Sequence, residues 1–132
     1  MGAAGHAERY AWCDAYALGL AAMDDTHREF VAHVDALMCA GDDAFLPALD
    51  AFVAHTEAHF AQESAWMADS GFPPVGCHEA EHRNVLETAV AVRERVAAGD
   101  VAVGRQLVAA LAEWFPQHAA TMDRMLAGWL AR

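Results

Sequence analysis

The chain has 132 residues, of which 56% are hydrophobic and 20% are charged, and its formal net charge at pH 7 is -11. This length corresponds to one domain that can bury its own core, and a composition rich in alanine favours helix over strand. The strong negative charge argues against nucleic acid or an anionic membrane as a partner, because both would repel an acidic surface. We therefore expect one all-α domain over residues 1–132, and we expect it to be a monomer.

An N-terminal arm and four helices are predicted from the spacing of the apolar residues. The arm covers about residues 1–17 and carries the aromatic anchors Tyr10, Trp12 and Tyr16. The predicted helices cover about residues 18–39, 44–69, 77–98 and 101–130. Their connections are short, and short connections join antiparallel neighbours. The sequence therefore predicts an up-down-up-down antiparallel four-helix bundle over about residues 18–130.

Two prolines fall inside predicted helices. Pro47 lies in the first turn of the second predicted helix, where its missing N–H leaves no hydrogen bond unmade. Pro116 lies inside the fourth predicted helix, two residues before His118. We expect Pro116 to remove one backbone hydrogen bond and to bend that helix.

The cysteines and the N-terminal segment indicate the cellular compartment. Cys13, Cys39 and Cys77 are odd in number and lack CxxC spacing, which suits reduced thiols. Residues 1–19 carry charges where a signal peptide needs an apolar stretch, and no run approaches the roughly 18 apolar residues of a membrane span. We expect a cytoplasmic protein that does not bind a membrane.

Histidines occur at metal-ligand spacings beside two carboxylates. Residues four apart on a helix lie one turn apart on one face, so each such pair can aim at one point inside a bundle. A spacing of five turns the second residue further round the helix, which suits a ligand that reaches a neighbouring ion. Buried carboxylates are costly unless a cation accompanies them. The candidate ligands are His27, the pair His59 and Glu63, the pair His78 and His82, and the more widely spaced pair His118 and Asp123.

The size of this ligand set indicates two metal ions with one free coordination position. Five imidazoles, two bridging carboxylates and one solvent-derived oxo or hydroxo bridge fill eleven of the twelve positions around two octahedral ions. The free position on a redox-active metal pair is where a small diatomic molecule would bind. Zinc is a poor candidate, because seven ligands overfill a four-coordinate site.

We do not expect the remaining histidines or the cysteine beside His78 to bind a metal. His6 lies in the arm and His33 lies on another face of the first predicted helix, so we expect both to be solvated. His55 lies one turn before His59 on the same face, and we interpret it as a residue at the rim of the site rather than a ligand. We expect Cys77 to face away from the metals, because neighbours on a helix point in different directions.

Four segments of the chain resemble the hemerythrins, specifically the single-domain bacterial kind. They are residues 19–27, residues 59–67, the Gly71-Phe72-Pro73 turn leading to His78 and His82, and the segment from Trp114 to Asp123. The segments occur in the family order, and the resemblance extends from about Trp12 to about Leu126. It implies a site for two irons and reversible binding of dioxygen without catalysis.

The resemblance also implies a role for each ligand. One iron would bind His78, His82 and His118, and the other would bind His27 and His59 and keep the open position. Glu63, Asp123 and the oxo or hydroxo group would bridge the two irons. The positions that wall the oxygen pocket in the family are occupied by Phe30, Phe60, Trp114, Phe115 and Ala119.

This sequence departs from the family pattern at two positions. Ser64 replaces a second acid that commonly follows the bridging glutamate, and this change leaves Glu63 itself in place. Ala119 is small where the family often has a larger aliphatic residue. We therefore expect a roomier pocket.

Other functions for a di-iron bundle remain as alternatives. Di-iron oxidases, peroxidases and ferritin-like catalysts typically supply four carboxylates and two Glu-x-x-His motifs. This chain has one such string, Glu79 to His82, which we interpret as a coincidence. An iron store and a sensor remain further alternatives, and nitric oxide is a possible second ligand beside dioxygen.

Overall fold

The computed structural model describes residues 8–132, so the interpretation of His6 lies outside the described residues. Residues 119–123 form a π-helical segment that joins the last two helices into one continuous element. A short 3₁₀ turn over Asp14–Tyr16 precedes the bundle. The helices are α1 (Ala21–Cys39), α2 (Asp42–Ser70), α3 (Val75–Ala97), α4 (Val101–His118) and α5 (Arg124–Ala131).

Helices α1, α2 and α3 and the continuous element made of α4, the π-helical segment and α5 form the predicted all-α four-helix bundle. Each packs against the next along the chain, and α1 also packs against α4, which closes the ring. Helix α2 ends where Gly71 adopts a left-handed conformation with φ 68°, a region that glycine enters without steric cost. Helix α4 begins where the Asp100 carboxylate accepts a hydrogen bond from the Val103 amide.

The predicted helix boundaries were wrong by up to three residues, because end residues contribute little to the apolar pattern. Helix α1 begins three residues later than predicted, while α2 and α3 each begin two residues earlier. Pro47 consequently lies in the second turn of α2 rather than the first. Within residues 8–132, no helix combines the length and the apolar character that crossing a lipid bilayer requires.

Buried polar residues form a layer between two apolar clusters. On α1, Met23 belongs to the smaller cluster and Phe30 to the larger one, and His27 lies between them. On α2, Glu63 similarly lies between Phe60 of the larger cluster and Met67 of the smaller one. The apolar clusters cover the polar layer from both ends, so its charged groups are removed from water.

The segment before α1 is anchored to the bundle by hydrogen bonds. The Asp35 carboxylate accepts from the backbone amides of Arg9 at 2.6 Å and Tyr10 at 3.0 Å. The Tyr10 hydroxyl donates to the Ala112 carbonyl oxygen at 2.8 Å. Ala112 lies four residues before Pro116, which has no N–H to donate to that carbonyl. Tyr10 therefore supplies the hydrogen bond that the proline removes from α4.

Candidate metal centre

Seven side chains of the polar layer converge, and all seven have relative exposures of 6% or less. They come from α1, α2, α3, α4 and the π-helical segment, and they are the seven candidate ligands predicted from the spacing. Their ligand atoms form two groups in which all atoms lie within 4.8 Å of one another. One group contains Glu63, His78, His82, His118 and Asp123, and the other contains His27, His59 and Glu63.

The Glu63 carboxylate lies between the two groups of histidines. Its Oε1 is 3.0 Å from His78 Nε2 and 3.4 Å from His82 Nε2. Its Oε2 is 2.9 Å from His59 Nε2 and 3.6 Å from His27 Nε2. Each oxygen of this carboxylate therefore faces a different set of imidazoles.

The Asp123 carboxylate has the same divided arrangement. Its Oδ1 is 3.0 Å from His78 Nε2 and 3.1 Å from His118 Nε2, while its Oδ2 is 3.0 Å from His27 Nε2. Two carboxylates that each direct one oxygen to each histidine group have the geometry of bridging ligands between two ions.

A π-helical turn places Asp123 in this position. The spacing of five predicts that Asp123 lies further round an α-helix than His118, but this segment is not α-helical. Residues 119–123 are π-helical, and the Arg124 amide donates to the Ala119 carbonyl five residues earlier. A π-turn brings residues five apart onto one face, so His118 and Asp123 meet. Such turns interrupt α-helices frequently at functional sites.

Hydrogen bonding within the protein leaves some of the convergent atoms unsatisfied, among them His27 Nε2 and Asp123 Oδ1, which supports a bound cation. His82 Nε2 and His118 Nε2 lie 3.1 Å apart. His27 Nε2 is buried 3.0 Å from Asp123 Oδ2, yet it makes no well-aligned hydrogen bond. Metal ions placed where these atoms point would satisfy them. Imidazole nitrogen and carboxylate oxygen are ligands that iron accepts, so the residues present fit an iron pair.

Electrostatics keep both carboxylates charged. Burial raises their pKa values, but hydrogen bonds from the surrounding imidazoles outweigh it and hold both pKa values below their usual ranges. Burial also lowers the pKa of His27 and His78, but the adjacent Glu63 and Asp123 carboxylates outweigh it and raise each pKa to about 9. The carboxylates therefore attract positive charge, either as protons on these imidazoles or as metal ions.

A third carboxylate, Glu81, contacts the centre and was missed by the sequence analysis. Its Oε1 accepts a hydrogen bond from His118 Nδ1 at 2.7 Å and another from Trp114 Nε1 at 2.9 Å. The Trp114 ring stacks on His118 with 4.4 Å between ring centroids. Glu81 lies three residues after His78, a spacing that places both on one face of α3. That spacing was the available signal.

The predicted pocket residues surround the centre on two sides. Phe115 packs edge-on against His27 with ring centroids 5.3 Å apart, and Phe30 stacks on Phe115 at 5.0 Å. Phe60 stacks on the His82 ring at 3.8 Å, so it lies mainly over the other histidine group. Trp114 lies over the same group, on His118. Ala119 is buried in the larger apolar cluster.

Outside the centre, the predicted positions of His55 and Cys77 agree with the structure, and that of His33 does not. His55 belongs to neither ligand group, and its ring lies 5.9 Å from that of His59, in keeping with a place at the rim. Cys77 is exposed. The expectation that His33 is solvated was wrong, because its half-buried ring packs against His55 at 4.8 Å.

The fold and the centre define a helical-bundle protein with a buried site for two metal ions. The sequence model of a family described as the hemerythrin HHE cation binding domain matches residues 18–130. The chain is also 51% identical over 121 residues to a bacteriohemerythrin of Ralstonia nicotianae (strain ATCC BAA-1114 / GMI1000). The aligned region covers 92% of this chain and 88% of that relative. The chain therefore belongs to the hemerythrin family.

Proposed function

We propose that this protein binds dioxygen reversibly at a non-haem di-iron centre, as an oxygen binder rather than an enzyme. In this assignment His78, His82 and His118 would hold one iron, and His27 and His59 would hold the other. Glu63 and Asp123 would serve both irons. The observation that carries the assignment is the division of each carboxylate, with one oxygen toward each histidine group.

The unequal number of histidines indicates where dioxygen would enter. One iron would be held by three imidazoles and the other by two, so dioxygen would bind on the side of His27 and His59. When bound, the irons supply the electrons that dioxygen takes up and recover them when it leaves. The protein then has to hold the ligands still and exclude water.

The surroundings of the His27 group suit the exclusion of water. Phe30 and Phe115 are essentially fully buried beside this group, so the space next to it is apolar. An apolar wall provides no hydrogen bond to water and no proton donor, which protects a reactive ligand from side reactions. On the opposite side, Glu81 accepts the Nδ1 proton of His118, so the Nε2 lone pair is free for iron.

Three finer points belong to the same proposal. We place the protein in the cytoplasm, supported by three cysteines that lack CxxC spacing and suit reduced thiols, and we propose that it is a monomer. Nitric oxide is the second diatomic molecule that the same open position would accept, because it has similar size and also binds ferrous iron. We propose no nucleic acid or membrane partner, supported by the net charge of -11.

Removal of either bridging carboxylate tests the assignment. Glu63→Ala and Asp123→Ala should each weaken the retention of both irons, because each bridge serves both. Glu57→Ala is the matched control, since it removes an exposed carboxylate from the same helix as Glu63. Iron analysis of fully loaded protein should give two ions per chain for the parent and the control. One ion per chain in the parent, or loss of a single ion in each variant, would contradict the assignment.

A further inference from the structure

A second group of potential metal ligands lies between α1 and α2, outside the di-iron centre. Glu29 and His33 are one turn apart on α1, and His55 faces them from α2. His55 Nε2 lies 3.2 Å from Glu29 Oε1, and the His33 and His55 rings are tilted by 38° with centroids 4.8 Å apart. Two imidazoles and one carboxylate thus meet on one surface patch.

We propose that Glu29, His33 and His55 form a peripheral site for one divalent zinc-like transition ion. Two imidazoles, one carboxylate and one water make up a common four-coordinate zinc environment. Zinc lies about 2.0–2.1 Å from such ligands, so two of them at a tetrahedral angle are separated by about 3.3 Å. The 3.2 Å between His55 Nε2 and Glu29 Oε1 matches that separation.

The exposure of these side chains is suited to a site that exchanges its ion with solvent. The His55 side chain is 14% exposed, whereas the Glu29 side chain is 65% exposed and can reach an arriving ion. Burial lowers the pKa of His33, which favours the neutral imidazole that binds metal. The ligand atoms of the three side chains do not all lie within 4.8 Å of one another, so the exposed Glu29 side chain and the half-buried His33 side chain have to turn toward His55 when the ion binds.

The charge of the patch also favours a cation. With the imidazoles neutral, the trio carries the single negative charge of Glu29, in a protein whose net charge is -11. If the group were only a hydrogen-bonded pair, then His33 would add nothing beyond ring packing. The contribution of His33 to metal affinity therefore separates a metal site from a hydrogen bond.

The test is a zinc titration of the iron-loaded protein against a chromophoric chelator, with the iron content measured in the same samples. We expect one zinc ion per chain beyond the two irons, with the visible spectrum of the di-iron centre retained. His33→Ala and Glu29→Ala should each weaken zinc binding by roughly tenfold or more. Glu87→Ala is the control, because it removes an exposed carboxylate of α3 rather than of α1 or α2, and it should leave zinc binding unchanged.

Three results would overturn the proposal. One is the absence of zinc binding beyond the amount that displaces iron. The second is an affinity that His33→Ala and Glu29→Ala leave at the parent value. The third concerns zinc-edge X-ray absorption of the zinc-bound parent, which should report two imidazole ligands. A spectrum without imidazole ligands would overturn the proposal.

Discussion

Removal of the Glu81 carboxylate should loosen one iron through the ligand it supports. Glu81 accepts from His118 Nδ1 at 2.7 Å and from Trp114 Nε1 at 2.9 Å, and both donors use the same oxygen. In Glu81→Ala, His118 loses the partner that selects its tautomer and orients its ring. Its Nε2 would then be less basic and less well directed toward the iron.

The size of this effect follows from the contacts that are lost. A hydrogen bond to a charged group contributes about 1.5–3 kcal/mol, and the partial exposure of Glu81 places it toward the lower end. Loss of a partner of a metal-bound histidine typically weakens metal binding by about 10–100-fold, which corresponds to the same range. Glu81→Gln keeps an acceptor oxygen but loses the charge, so it should give a smaller loss.

Iron release to a strong ferrous chelator measures the effect. Glu81→Ala should release iron faster than the parent by roughly tenfold or more, with Glu81→Gln between them. The control is Glu87→Ala, which removes an exposed carboxylate from the same helix. If Glu81→Ala releases iron at the parent rate, or no faster than Glu87→Ala, the reasoning about His118 is refuted.

Three further predictions concern stability. Tyr10→Phe should lower the free energy of unfolding by about 1–3 kcal/mol because it leaves a carbonyl unpaired, and Pro116→Ala in the same chain should restore part of the loss, as a denaturant double-mutant cycle would show. Gly104→Ala places a Cβ 2.5 Å from Phe45 Cε1 and should cost about 1–3 kcal/mol, whereas Gly128→Ala meets nothing within 4 Å and should gain up to about 1 kcal/mol. Thermal melts with the opposite order would contradict this. Two histidines of the centre have pKa values raised from 6.5 to about 9, so the metal-free protein should keep their stabilisation below pH 6.5 and lose it as the pH rises through 9. Iron-loaded protein should lack that loss, and melts of both forms from pH 6.5 to 9.5 check it.

The helical spacing of the histidines predicted the candidate centre because each ligand lies on the inward face of a long amphipathic helix. Met23, His27 and Phe30 illustrate this, since they share one stripe of α1 and are all buried. The bundle itself followed from the same stripes and the short connections between them. Periodicity reports which face of a helix is buried, and this chain buries its ligands and its core on the same faces.

The features that the sequence did not predict depend on competition between local and tertiary contacts. Nothing in residues 119–123 alone distinguishes a π-turn from an α-turn, and the π-turn is stable where Asp123 meets His118 and His27. The packing of His33 against His55 likewise requires two helices to be in register. Glu81 of α3 contacts His118 and Trp114 of α4, and this contact between helices has no local sequence motif.

The visible spectrum of the iron-loaded protein tests the central claim most directly, recorded as dioxygen is admitted to the ferrous form and then removed. We predict that a charge-transfer band appears with dioxygen and disappears when the solution is purged, over repeated cycles without added reductant. An irreversible change to the ferric spectrum in the first cycle, or continued consumption of dioxygen when a reductant is supplied, would contradict reversible binding.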